Sequence, residues 1–83
     1  MRFKYFAWVR ERIGRAEEEI EVPAAVATVG DLVEWLKQRG PEYANALAEP
    51  AVIRVALDRI HAEPSRPIAG ASEVALFPPM TGG

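Results

Sequence analysis

One helix is written into this chain more plainly than any other element, and it limits what the rest can be. Thr28 stands where an N-cap hydroxyl is wanted, and Asp31 puts a carboxylate at the positive end of the helix. Val29, Leu32, Val33 and Leu36 recur at helical spacing and form one apolar stripe. Lys37 and Arg39 fall in or just after the last turn, where cations suit the helix dipole. Gly40 is expected as a left-handed C-terminal cap, and Pro41 blocks continuation. In 83 residues there is length for one modest core, so the rest of the chain must supply the surface that covers this stripe.

It does so with alternating segments. In residues 2–9, Phe3, Tyr5, Ala7 and Val9 share one face, and Arg2, Lys4, Phe6 and Trp8 share the other. That period predicts a strand, with Arg10 to Gly14 turning the chain. Residues 18–22 predict a second strand, with Ile20 and Val22 inward, Glu19 and Glu21 outward, and Pro23 ending it. Residues 42–48 predict a short helical turn with Tyr43, Ala44 and Leu47 inward. Residues 52–57 predict a strand with Ile53, Val55 and Leu57 on one face. Asp58-Arg59 then turns into a short strand near Ile60-His61-Ala62. Loops follow at Pro64 to Pro67 and at Gly70-Ala71-Ser72. A last strand spans 73–77, with Val74 and Leu76 opposite Ala75 and Phe77. This order predicts an α+β fold: a mixed sheet of about five strands with one main helix packed on one face. It is expected to be one domain over residues 1–83, with a flexible tail at about 78–83.

Composition narrows the function. The net charge is -2, so no basic excess exists to neutralise a phosphate backbone, and nucleic acid is not the expected partner. No apolar run of about 18 residues is present to span a membrane. Met1-Arg2-Phe3-Lys4 lacks the apolar core of a secretory signal. Cysteine is absent, so there is no disulfide, no thiol nucleophile and no cysteine metal site, which fits a cytoplasmic location.

Catalytic sets are missing too. His61 is the single histidine and reads as a surface or interface residue. Glu17, Glu18, Glu19 and Glu21 form a charge run that reads as a solvated strand face, and no metal site is expected. Ser65 and Ser72 lie in loops without a nucleophile elbow. No self-contained active site is expected, which favours a carrier or binding role over an enzyme acting alone.

Two features remain. Glu73 is the last charged side chain before the Gly82-Gly83 end. Glycine carries no Cβ, so this backbone can enter a channel too narrow for side chains. Pro78-Pro79 just before it holds the chain extended at low entropic cost. Taken alone, a terminal Gly-Gly is also what a frayed end looks like. The second feature is aromatic. Phe6 and Trp8 share parity on the first strand, and Phe77 lies on the last. If those strands are neighbours, the three form one patch on the sheet face away from the helix, suited to a partner.

These residues resemble a known family. Phe3-Lys4-Tyr5-Phe6-Ala7-Trp8-Val9-Arg10-Glu11, followed by Ile13-Gly14, is similar to the opening of the MoaD family, the small subunit of molybdopterin synthase. Thr28-Val29-Gly30-Asp31-Leu32 resembles its helix start, and Glu73 to Gly83 resembles its C-terminal signature. Ala56-Leu57-Asp58 and Gly70-Ala71-Ser72 depart from the family's usual turns.

The resemblance implies a β-grasp (ubiquitin-like) fold and a sulfur-carrier role. Gly83 would be adenylated by a MoeB-like activating enzyme using ATP and magnesium, then converted to a thiocarboxylate with sulfur from a persulfide donor protein. No cofactor would be bound permanently; AMP or sulfur would be carried on Gly83 in turn. The thiocarboxylate would enter a MoaE-like large subunit, in a heterotetramer, and donate sulfur to the pterin precursor. Pro78, Pro79, Met80, Thr81 and Gly82 would thread the partner's channel. Phe6, Trp8, Arg10, His61 and Phe77 would meet its surface. The alternatives are a carrier of the same fold for thiamine, tRNA thiolation or cysteine synthesis, a ubiquitin-like modifier joined through Gly83 to protein lysines, and a plain binding module with an inert tail.

Overall fold

The computed structural model describes residues 1–79. Its clearest element is the one the sequence singles out. Helix α2 (Val29–Lys37) buries Val29, Leu32, Val33 and Leu36. The expected capping box is complete: the Asp31 N–H donates to the Thr28 hydroxyl at 3.1 Å, and the Thr28 N–H donates to the Asp31 carboxylate at 3.3 Å. The C-terminal end differs. Gln38, not a glycine, follows the last turn, and Gly40 has an extended φ of 166°. Gly40 instead precedes Pro41 at the first position of the next helix, a place where the missing N–H costs nothing.

The N-terminal strand stops earlier than its alternation suggests. Strand β1 covers Arg2–Tyr5, and Ala7–Ile13 forms helix α1. Phe6 is still extended, but Ala7 takes φ 53° and swings the chain out of the sheet. A left-handed alanine costs about 1 kcal/mol, which the burial of Val9 and Ile13 offsets. Val9 is inward by strand parity and also by its helical spacing to Ile13, so alternation alone could not separate the two structures. Gly14 ends α1 in the left-handed cap that Gly40 does not provide: φ is 90° and its N–H donates to the Arg10 carbonyl at 2.8 Å.

Strand β2 is Glu17–Glu19 rather than residues 18–22. Ile20 is buried beyond it, paired through backbone bonds with Met1. Val22 is half-buried outside the strand. Helix α3 (Pro41–Ala46) buries Tyr43, Ala46 and then Leu47, and exposes Ala44. The correction follows from helix geometry, because residues three and four beyond Tyr43 share its face and the next residue does not. A 3₁₀ turn at Pro50–Val52 delays strand β3 to Arg54–Leu57. Asp58 and Arg59, at φ 47° and 72°, make the two-residue hairpin into β4 (Ile60–His61). Strand β5 spans Glu73–Phe77, as the alternation predicts.

The five strands run in the order β2-β1-β5-β3-β4. The central pair, β1 and β5, is parallel and the other pairs are antiparallel. Phe3, Tyr5, Val74 and Leu76 project from the central strands into the core that Leu32 and Leu36 complete. The opposite face is polar at one end, where Arg2 pairs with Glu17 at 2.9 Å and Lys4 with Glu73 at 3.3 Å.

Candidate functional site

The site is the end of the sheet where the chain leaves β5. Because β5 runs parallel to β1, Phe77 emerges beside the point where β1 hands over to α1. The Phe6 N–H donates to the Leu76 carbonyl at 3.1 Å and holds the two segments together. Pro78 and Pro79 then follow, half-buried, with no N–H to continue the ladder. They line a groove of about 520 Å³ with Trp8, Arg12, Ala46 and Val52. Met80, Thr81, Gly82 and Gly83, named above as tail and carrier residues, lie outside the described residues.

The expected aromatic patch is divided. Phe6 is 47% exposed, and Phe77 is half-buried opposite Arg54 on the open sheet face. Trp8 does not join them, because α1 replaces the strand that would have given it the parity of Phe6. It lies instead in the groove, half-buried, with the Arg12 guanidinium carbon 4.5 Å from its ring centroid. Arg10 is exposed on α1. His61 is exposed on β4, opposite Ala56, which itself faces Ala75. The His61 side chain reaches Glu63 only at 4.0 Å.

Sequence reasoning did not single out Ile60 (60% exposed) or Val52 (37% exposed). Ile60 faces the same way as buried Leu57, so parity alone would bury it. Its exposure comes from its place on a two-residue edge strand that no described residue covers. Arg12 was also missed; its signal is the four-residue spacing to Trp8 once residues 7–13 are helical.

The glutamate run is not uniformly solvated. Glu17 and Glu19 point to the open face, but Glu18 turns inward. The Tyr5 and Tyr43 hydroxyls each donate to its Oε2 at 2.7 Å, and Arg15 bonds its Oε1 at 3.0 Å. Burial pushes this carboxyl up, but the two hydroxyl donors and Arg15 outweigh that and hold it below the usual carboxylate range. Burial, reinforced by the adjacent carboxylate, pushes both tyrosines above their ordinary range. These groups brace β1, β2 and α3.

Among the described residues, no three His, Cys, Asp or Glu side chains converge as metal ligands. No described helix is long and apolar enough to cross a membrane. A concavity of about 770 Å³ runs between α2 and β3 past Asp31, Glu34, Arg54 and His61, and no nucleophile is paired with a base among the described residues that line it.

This arrangement sets Pro78 and Pro79 at the end of a braced sheet. Residues 3–83 match the model of the ThiS family. The chain belongs to the ThiS family. A molybdopterin synthase sulfur carrier subunit of Haemophilus influenzae is 34% identical over 79 residues, spanning 95% of this chain and 94% of that protein. A molybdopterin converting factor subunit 1 of Pyrococcus furiosus, its function given as putative, superposes with a TM-score of 0.74 at 30% identity, over 95% of each chain. The crystal structure of SAMP1 from Haloferax volcanii superposes with a TM-score of 0.73 at 30% identity, over 100% of this chain and 98% of that one. The resemblance to molybdopterin synthase small subunits is therefore borne out, as is the β-grasp fold.

Proposed function

We propose that this ThiS-family chain is the sulfur-carrier subunit of a molybdopterin synthase, with the Gly83 carboxylate as the carrying group. The match that runs from residue 3 through Gly83, and includes the Phe77-Pro78-Pro79-Met80-Thr81-Gly82-Gly83 ending, is the observation that carries this reading. The described residues add support: β5 delivers the chain through Pro78 and Pro79 at an open end of the sheet, beside Phe6 and Phe77.

The chemistry follows from the carboxylate. It is a poor acyl donor until one oxygen becomes a leaving group. In the partner activating enzyme, a Gly83 oxygen attacks the α-phosphorus of ATP, and pyrophosphate leaves. A persulfide on the donor protein attacks the acyl carbon, and AMP leaves. A thiol then reduces the resulting sulfur–sulfur bond, leaving the thiocarboxylate. This sulfur nucleophile needs no cysteine in the chain. Gly82 and Gly83 admit the group to the large subunit's site, where it attacks the pterin precursor. Phe6 and Phe77 are the proposed anchors on that subunit, and Arg10 and His61 border them.

Intact mass after incubation with activating enzyme, magnesium ATP and a sulfur donor tests the reading. The expected result is one oxygen replaced by sulfur, located at Gly83, and consumed when large subunit and precursor are added. A mass unchanged where a known carrier is converted overturns it. Conjugates through Gly83 to protein lysines would replace it with the modifier role.

A further inference from the structure

We propose that Trp8, pinned by Arg12, is a positioning residue that sets the direction in which the chain leaves Pro79. The proposal rests on the carrier reading for its catalytic consequence, but its geometry stands on the described residues. Four observations meet at one place. Trp8 packs against the core cluster while remaining half-buried, so one side of the indole is anchored. Arg12 lies one helical turn on and stacks at 4.5 Å, which restrains the indole rotamer. Trp8, Val52 and the two prolines line the same groove. Helix α1, which carries Trp8 and Arg12, packs on both α3 and β5.

The physical need is clear. β5 ends at Phe77, and the prolines can donate no further backbone bond, so the ladder's donors no longer orient the stem beyond it. A groove wall can supply further orientation, beyond the stiffness of the two prolines. The Trp8 indole is one wall of the groove that the two proline rings also line. A carrier whose partners bind the sheet by one surface and receive the tail in a separate channel depends on that angle. Misdirecting the stem leaves docking intact and lowers the fraction of docked complexes with the carboxylate in place. Trp8 thus acts through Pro78 and Pro79 and touches no reacting atom.

The test uses Trp8→Ala, Trp8→Phe and Arg12→Gln in the full chain. The chain has no cysteine, so Thr81→Cys and Ser65→Cys give a clean spin-labelled pair. The measured quantity is the width of the distance distribution between the labels. Trp8→Ala should at least double that width, Trp8→Phe should restore most of it, and Arg12→Gln should fall between. Arg12→Gln changes no core contact, so it still decides the matter if Trp8→Ala fails to fold. Equal widths in every folded variant overturn the proposal. The kinetic arm measures adenylation of Gly83, with unlabelled chain, as pyrophosphate release. Trp8→Ala should lower kcat about tenfold with KM changed less than threefold. A rise in KM with kcat unchanged makes Trp8 a docking contact and overturns the positioning role. If the unsubstituted chain is not adenylated at all, the carrier reading fails while the label distances still decide the geometry.

Discussion

Two clusters of aromatic rings and arginines touch helix α3, and they are held in opposite ways. At Glu18, two tyrosine hydroxyls converge at 2.7 Å on one carboxylate oxygen while Arg15 holds the other. At the tail root, Trp8, Arg12, Val52, Pro78 and Pro79 share a groove with stacking and van der Waals contact as their chief restraint. The first cluster is directional, and its tyrosines and Glu18 are largely buried under an exposed Arg15, so it fixes how β1, β2 and α3 sit. The second is an open groove whose lining mixes Trp8, Val52 and the prolines with Arg12, Asn45 and Glu49, so it can orient a stem and still accept a partner's surface. The directional hydrogen bonds lie where no chemistry is proposed, and the open groove lies where the chain leaves β5.

The largest expected effect breaks the two regions apart completely. Removing Gly83 should abolish sulfur loading, read as loss of the oxygen-to-sulfur mass change, while the urea midpoint stays that of the full chain. A shifted midpoint would mean that the tail also supports the fold. Next is Glu18→Ala, which leaves two largely buried tyrosine hydroxyls without their acceptor and should cost about 3 kcal/mol in urea unfolding. Loading of the folded variant should be unaffected; a loss of loading would erase the contrast between the clusters. Phe77→Ala should weaken large-subunit binding by about 2 kcal/mol in titration calorimetry if the open face is the docking surface. Unchanged affinity for both Phe77→Ala and Phe6→Ala would move the interface elsewhere.

The smallest effect is the pH dependence of the Glu18 cluster. The Glu18 carboxyl is held below its ordinary 4.5 in the fold. Its contribution is therefore present above about pH 4.5 and is lost as pH falls toward its folded value. The tyrosines are raised above their ordinary 10.0, so their contribution is present below that pH and is lost as pH rises beyond it. Stability measured by denaturant should decline on both limbs, and Glu18→Gln should flatten the acid limb. An unchanged acid limb in that variant would assign the decline to other carboxylates.

Much of the fold was legible from local signals. Thr28 and Asp31 place the start of α2, and alternation places β5 at its observed bounds and the inward faces of β1 and β3. These signals are reliable because each is carried by neighbours in sequence, through a cap or a period of two. The missed elements share one cause. Val9 satisfies both a strand and a helix, so the break at Ala7 was invisible until α1 packed on α3 and β5. Glu18 read as one more charge, because its acceptor role depends on tyrosines 13 and 25 residues away.

The same division applies to function. The Gly82-Gly83 end, the Pro78-Pro79 stem, the lack of cysteine and the resemblance to molybdopterin synthase small subunits were determined by the sequence itself. They are one-dimensional facts about which atoms exist and in what order. Only the tertiary structure decided which side chains stand around the stem. It separated Trp8 from Phe6, set Trp8 and Arg12 in the groove that the prolines line, and left Ile60 exposed on its edge strand. Those placements come from strand order and helix packing between distant segments, and no local pattern encodes them.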